Sequence, residues 1–132
     1  MARISITRLR LRKVLYLIPF IWYAQRSQAQ ALRAEGCFGA QVRRHQGAFW
    51  TLTSWRDQAA MRAFMLSGAH RTVMPKLVSW CDEASLAHWT QEGTELPPWS
   101  EGEKHLAASG RTSLVAYPSP AHAAGNPLGS SA

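Results

Sequence analysis

The sequence predicts an α+β fold with the ferredoxin-like order β-α-β-β-α-β, and three observations carry that expectation. Four short segments alternate apolar and polar residues and are rich in β-branched and aromatic side chains. Stretches with helical spacing separate the first segment from the second and the third from the fourth. Glycine-bearing turn residues join the middle pair, which reads as a hairpin.

The first strand spans residues 2–11, where Ala2, Ile4 and Ile6 alternate with Arg3, Ser5 and Thr7. Leu9 and Leu11 then carry the apolar pattern on the opposite parity, so a bulge or strand end is expected near Thr7 and Arg8. Pro19 suits the opening of a helix reaching about Ala34, with Gly36 as its stop. Phe20, Tyr23, Ala24, Ser27 and Ala31 share one stripe of that helix, and its small members allow close approach to a sheet. Phe38, Ala40 and Val42 mark the second strand, His45-Gln46-Gly47 the turn, and residues 48–54 the third strand. There Trp50 and Leu52 face one side, and Phe49, Thr51 and Thr53 face the other.

Ser54-Trp55-Arg56-Asp57 fits a capping pattern for a second helix whose buried stripe is Ala60, Met61, Phe64 and Met65. Ser67-Gly68 interrupts it, and residues 69–79 form a further helical piece, bent or ended near Pro75. The last core strand is residues 84–90, with Leu86 and His88 on one face and Ala87 and Trp89 on the other. The core domain is thus residues 1–91. Residues 92–117 form a C-terminal extension: a linker, a short helix capped by Ser100 and Glu103 and ended at Gly110, and an edge strand over residues 113–117. Residues 118–132, poor in bulky apolar groups, read as a disordered tail.

In this order two helices cover one sheet face and leave the other bare. Strands with bulky groups on both sides then predict a homodimer, its two sheets closing into a dimeric α+β barrel. The 132 residues suit one such domain, and 46% apolar against 17% charged residues supply a core. The apolar run from Val14 to Ala24 is too short to span a membrane. Arg8, Arg10, Arg12 and Lys13 before that run, and Ala29-Gln30-Ala31 after it, trace the outline of a secretory signal. Pro19 in mid-run and the strand character of the basic segment weigh against it, so a cytoplasmic protein is expected.

Several residues belong to the signature that brings a family to mind. Trp50-Thr51-Leu52-Thr53-Ser54-Trp55-Arg56-Asp57, Ala60-Met61-Arg62-Ala63-Phe64 and Ser67-Gly68-Ala69-His70-Arg71 resemble the third strand and second helix of the dimeric α+β-barrel superfamily. Within it, the likeness is to small uncharacterised proteins grouped with antibiotic-biosynthesis-type monooxygenases and with spheroidene monooxygenase. Met74-Pro75-Lys76-Leu77, Trp80-Cys81-Asp82-Glu83-Ala84 and His88-Trp89 resemble the same group.

The resemblance implies a monooxygenase acting on a hydrophobic small molecule, with no cofactor or with heme. Heme-degrading members of the fold use an axial histidine near the end of the second helix, an asparagine on the first strand and a tryptophan within the second helix. His70 stands near the first position. Ser5 and Thr7 are the neutral polar residues of the first strand, and Phe64 fills the third place, so heme degradation is not implied. A heme role for His70 is. The other function class is a non-catalytic small-molecule-binding or structural dimer of the same fold. A cavity reaching His70 would favour the enzyme; an interior filled by Phe, Trp and Met would favour the second class.

His70 is the leading catalytic and cofactor-binding candidate, because an imidazole at a helix end can move a proton near neutral pH or ligate iron. Its bland alternative is a helix-end histidine bonding free carbonyls. His88, in mid-strand, is the second catalytic candidate, against a hydrogen-bonded structural histidine. Trp50, Trp55, Phe64 and Trp89 are candidates for an aromatic substrate pocket, against simple core packing. Arg3 and Arg43 are candidate carboxylate binders, against solvated strand charges. Cys81 precedes Asp82-Glu83, whose charge opposes a thiolate. The histidines and the two cysteines have no metal-ligand spacing, so no metal is expected.

Charge is unevenly placed: through Lys76 there are 13 Lys/Arg against two acids, and beyond it two against six. The arginines are spread over several elements and no helix-turn-helix or ribonucleoprotein motif appears, which disfavours nucleic acid. Trp22 and Tyr23 beside Arg26 offer a peripheral contact with lipid headgroups.

Overall fold

The computed structural model describes residues 1–130. Strand β1 (Ala2–Leu11) leads through a 3-10 turn (Val14–Tyr16) into helix α1 (Leu17–Arg33). The hairpin β2 (Cys37–His45) and β3 (Ala48–Trp55) follows, then α2 (Gln58–Met65), α3 (Gly68–Trp80) and β4 (Cys81–Gln91). The antiparallel sheet has the order β2-β3-β1-β4-β5, the last being Arg111–Thr112 at the edge. Its first four strands have the ferredoxin-like arrangement.

Local chemistry explains the boundaries. Gln46 and Gly47, both at positive φ, make the two-residue hairpin turn that matches strand twist. Asp57, not Ser54, caps α2: its carboxylate accepts the Ala60 N–H at 2.8 Å, while Ser54 stays in β3 and donates to the Thr94 carbonyl. Helix α3 runs through Pro75 and gives up one backbone bond there. Phe38 sits where the β2–β3 register shifts, and is turned outward.

No bulge forms at Thr7 and Arg8. The register of β1 with β3 is continuous from Arg3 to Leu9, and the shift against β4 lies between Arg10 and Leu11. The apparent change of parity has another cause: Arg8 occupies an inward position and is 2% exposed. It is neutralised by Glu83 on β4, 1% exposed, at 2.8 Å. Burial opposes the Glu83 charge, but hydrogen bonds from Ser119, Ser130 and Arg8 outweigh it and draw the carboxyl down to about 2. Arg10 adds a bidentate pair with Asp82, at 2.9 and 2.7 Å.

Two expectations about the C-terminal part change. The second sheet face is not bare. Helix α4 (Trp99–Ser109) lies across Ile4, Ile6, Trp50, Leu52 and Ala87, with Leu106 fully buried against them. It starts after Pro98, so Ser100 lies inside it and caps nothing. Gly102 permits the approach, since a Cβ there would meet Ile6 Cδ1 at 2.6 Å. The bare face that motivated a second copy is covered by the chain itself.

Nor are residues 118–130 a free tail. Ser119 caps a short helix, α5 (Pro120–Ala123), and donates to Glu83 Oε2 at 2.6 Å. Ser130 bonds the same carboxylate. A buried charge with several lone pairs to satisfy holds a segment whose own composition would leave it loose. Residues 131–132 of that expected tail lie outside the described residues.

Candidate functional site

Between the sheet and α1, α2 and α3 lies a cavity of about 210 Å³. Its floor is the helix-facing side of the sheet: Ser5 and Thr7 of β1, Thr51 and Thr53 of β3, and Leu86 and His88 of β4. Those positions alternate with Ile4, Ile6, Leu52 and Ala87, which pack against α4 on the opposite face. The walls are apolar: Phe20 and Ala24 from α1, Met61 and Phe64 from α2, Val73 and Leu77 from α3. None of the lining side chains is an Asp, Glu, Lys or Arg.

His70 lines this cavity. It is the third residue of α3 rather than the end of α2. Its N–H donates to Gln30 Oε1 at 3.2 Å, and its Nδ1 lies 3.4 Å from the carbonyl of Met65, the last residue of α2. The ring packs on Phe64 with centroids 4.7 Å apart. Burial lowers the pKa of His70, with the Met65 carbonyl pulling weakly the other way. His88 reaches the same cavity from the floor and is also lowered, by burial first and then by the positive charges of Arg3 and Arg111. Two imidazoles biased toward the neutral form thus share an uncharged chamber.

The four pocket candidates divide by sheet face. Trp55 and Phe64 line the cavity, their rings 5.1 Å apart. Trp50 and Trp89 do not: strand alternation puts them on the α4 side. There Trp50 Nε1 donates to the His45 carbonyl, and Trp89 stacks on His105 at 3.9 Å. Arg43 is also structural, ion-paired with Glu103 and lying over the Trp99 ring at 4.7 Å. Cys81 is buried, and burial together with Asp82 pushes its thiol up to about 12, which removes it as a nucleophile.

Two residues that line the chamber, Trp55, named as a pocket candidate for its ring, and Ser27, named only for its small size, each carry a buried polar atom that sequence reasoning did not weigh. Trp55 is 1% exposed, and its Nε1–H has no hydrogen-bond partner among the described residues. Ser27 Oγ, also lining the cavity, has none either. A buried donor left unpaired costs about 1–3 kcal/mol, so its persistence in a cavity wall calls for an explanation. The alternation of Trp55 with Ser54 on β3 was the signal that could have placed it.

The cavity does not fit a heme. Its 210 Å³ lies below the roughly 300–1,000 Å³ typical of pockets for drug-sized ligands. It also offers no cationic side chain for propionates. Among the described residues no group of three His, Cys, Asp or Glu side chains could hold a metal ion, and no helix is long and apolar enough to cross a membrane.

Residues 18–116 match the family model described as a domain of unknown function, DUF3291. The chain matches no curated protein. Solved structures share its fold. A conserved protein from Methanosarcina mazei Go1 superposes with a TM-score of 0.62 at 17% identity, covering 70% of this chain and 94% of that one. Rv0793 from Mycobacterium tuberculosis gives 0.64 at 8% identity, covering 70% and 97%. SnoaB, a cofactor-independent oxygenase from Streptomyces nogalater, gives 0.58 at 14% identity, covering 70% and 95%. Proteins described as antibiotic biosynthesis monooxygenases are among the neighbours as well.

Proposed function

The chain belongs to the DUF3291 family, and from that premise we propose that it is an oxygenase of the antibiotic-biosynthesis type. Its substrate would be a small, flat apolar molecule that carries an oxygen acceptor. The observation that carries this reading is the uncharged cavity, lined by two imidazoles biased toward the neutral form and by Trp55, whose buried indole N–H has no partner among the described residues. Trp55 Nε1–H donates to a carbonyl or phenol oxygen of the substrate, with Ser27 Oγ as a second contact. His70 or His88 takes a proton from the activated carbon and leaves an electron-rich anion. Dioxygen accepts four electrons from that substrate in two steps. The anion and O2 first form a C–O bond, giving a peroxide. Loss of the second C–H proton then breaks the O–O bond, with the protonated histidine returning its proton to the departing oxygen. One oxygen atom is retained and the other leaves as water, so a CH2 group and O2 become C=O and H2O with no outside reductant. The same fold in a cofactor-independent oxygenase supports the class of reaction.

A second reading has its own observation. The His70 ring is packed on Phe64 beside the Met65 carbonyl, as a structural histidine would be, which supports a binding protein without chemistry. Pairing of two copies stands apart from both readings: the cavity is built within one chain, and α4 covers the sheet face that motivated pairing.

The test is binding of 2-naphthol against naphthalene, followed by oxygen uptake with a panel of electron-rich phenols and aryl ketones. The enzyme reading expects 2-naphthol to bind about tenfold more tightly, the worth of one hydrogen bond to a buried donor. Trp55→Phe should erase that preference, and either His70→Ala or His88→Ala, whichever removes the base, should abolish oxygen uptake while the fold stays intact. Binding with no oxygen uptake across the panel would select the second reading. Failure of both probes to bind would remove both readings.

A further inference from the structure

Helix α1 is apolar on two sides. Phe20, Ala24 and Ala31 face the cavity, as a core helix requires. On the outside, Val14, Ile18 and Trp22 recur every fourth residue and are 84%, 81% and 52% exposed. Leu15 and Ile21 flank them, also exposed. A helix packed on a domain in water ordinarily turns a polar face outward. Here the 3-10 turn and the first turns of α1 raise an apolar ridge about 12 Å long into solvent.

The ridge has a basic and aromatic border. Lys13 precedes it and is exposed, and Arg26 lies over the Trp22 ring at 4.6 Å. Arg12 lies over the rings of Tyr16 and Tyr117, at 5.6 and 4.3 Å. Trp22 meets Tyr23 edge-on, with centroids 4.9 Å apart. The first 34 residues contain no acid at all.

We infer that this outer face of α1 docks on an anionic membrane surface: the Val14–Ile18–Trp22 ridge enters the headgroup boundary and Lys13, Arg12 and Arg26 meet the lipid phosphates. Aliphatic side chains at the centre, Trp and Tyr at the edge and cations around them are the order of polarity that an interface presents. A second copy of the chain is the weaker occupant. A twofold contact on this ridge would bring Lys13 and Arg26 close to the same cations of the partner, and the first 34 residues supply no acid to neutralise them.

Flotation of the full chain with phosphatidylcholine vesicles, with and without a quarter of phosphatidylglycerol, tests this at physiological salt. Partitioning to the anionic vesicles should exceed that to the neutral ones at least tenfold. Lys13→Gln with Arg26→Gln should lower it by about 25-fold, since each surface cation contributes roughly fivefold. Ile18→Asp with Trp22→Ser should abolish it. All four side chains are exposed, so circular dichroism should be unchanged; Ile18→Ser alone serves if the paired ridge variant unfolds. Equal partitioning to both vesicles, no partitioning, or undiminished binding by the folded ridge variant would each overturn the inference. So would a wild-type dimer in the ultracentrifuge that Ile18→Asp dissociates, because the ridge would then belong to a second copy.

Discussion

The two faces of one sheet have opposite interiors. Toward α4, Ile4, Ile6, Trp50, Leu52 and Ala87 close on Leu106. Toward α1, α2 and α3, the alternate positions of the same strands carry Ser5, Thr7, Thr51, Thr53 and His88, and there the protein is hollow. Small hydroxyl-bearing residues beneath large apolar walls do not fill the space between layers, and a cavity results. Buried polar atoms without a partner among the described residues occur on both faces, Trp55 Nε1 and Ser27 Oγ beside the cavity and Trp89 Nε1 and Arg43 Nε toward α4, so the hollow itself is what separates the two.

The largest effect belongs to the buried ion pair on the packed side. Glu83→Gln should destabilise the protein by about 3–5 kcal/mol in chemical denaturation, because Arg8 would remain charged and buried. Replacing both, Arg8→Met with Glu83→Leu, should cost much less. The same carboxylate sets the acid limit. Its folded pKa of about 2 lies below its ordinary value of 4.5, so its contribution is complete above pH 4.5 and is lost as pH falls toward 2. His70 and His88, also lowered, weaken the fold earlier, as pH drops below the ordinary histidine value of 6.5. Acid titration of wild type against Glu83→Gln should show the lower transition only in wild type.

Adjacent residues on β3 offer the next comparison. Leu52→Ala opens a void in the packed face and should cost about 3 kcal/mol. Thr51→Val, one position along and facing the cavity, should stay within about 1 kcal/mol of wild type by the same measurement. Comparable costs would mean that the second face is packed in solution.

The same contrast explains what the sequence revealed. Strand alternation gave the order of elements and separated Thr51 and Thr53 from Trp50 and Leu52. It also placed His88 opposite Trp89, so the cavity floor was legible once parity was followed consistently. The pocket set that joined Trp50 and Trp89 to Trp55 and Phe64 grouped residues by type, which carries no information about face. The bulge expected near Arg8 is absent because an arginine can hold an inward position when its partner is buried with it, and that partner, Glu83, lies 75 positions away. The α4 cover and the ordered 118–130 segment were illegible for a related reason: each depends on long-range contacts with β1, β3 or β4 that leave no periodic trace. The likeness around His70 drew attention to a residue that does line the cavity, although it enters from α3.

The finest discrimination comes from placing one side chain on either side of the sheet. Gly102→Leu on α4 has no room: even a Cβ would meet Ile6 Cδ1 at 2.6 Å, and Leu52 Cδ1 stands 3.7 Å away. The helix must lift or the core must rearrange, and about 2 kcal/mol of stability should be lost. Ala24→Leu on α1 points the same isobutyl group into the hollow. Its new methyl groups gain contacts that the cavity walls now lack, so stability should hold or rise by up to about 1 kcal/mol. Binding of 2-naphthol should nevertheless disappear, because the added volume occupies the space the ligand needs. Stability and binding would then move independently on the hollow face, which is how a cavity maintained for a ligand differs from a packing defect. If Ala24→Leu is as damaging as Gly102→Leu, the hollow collapses in solution and the binding reading fails with it.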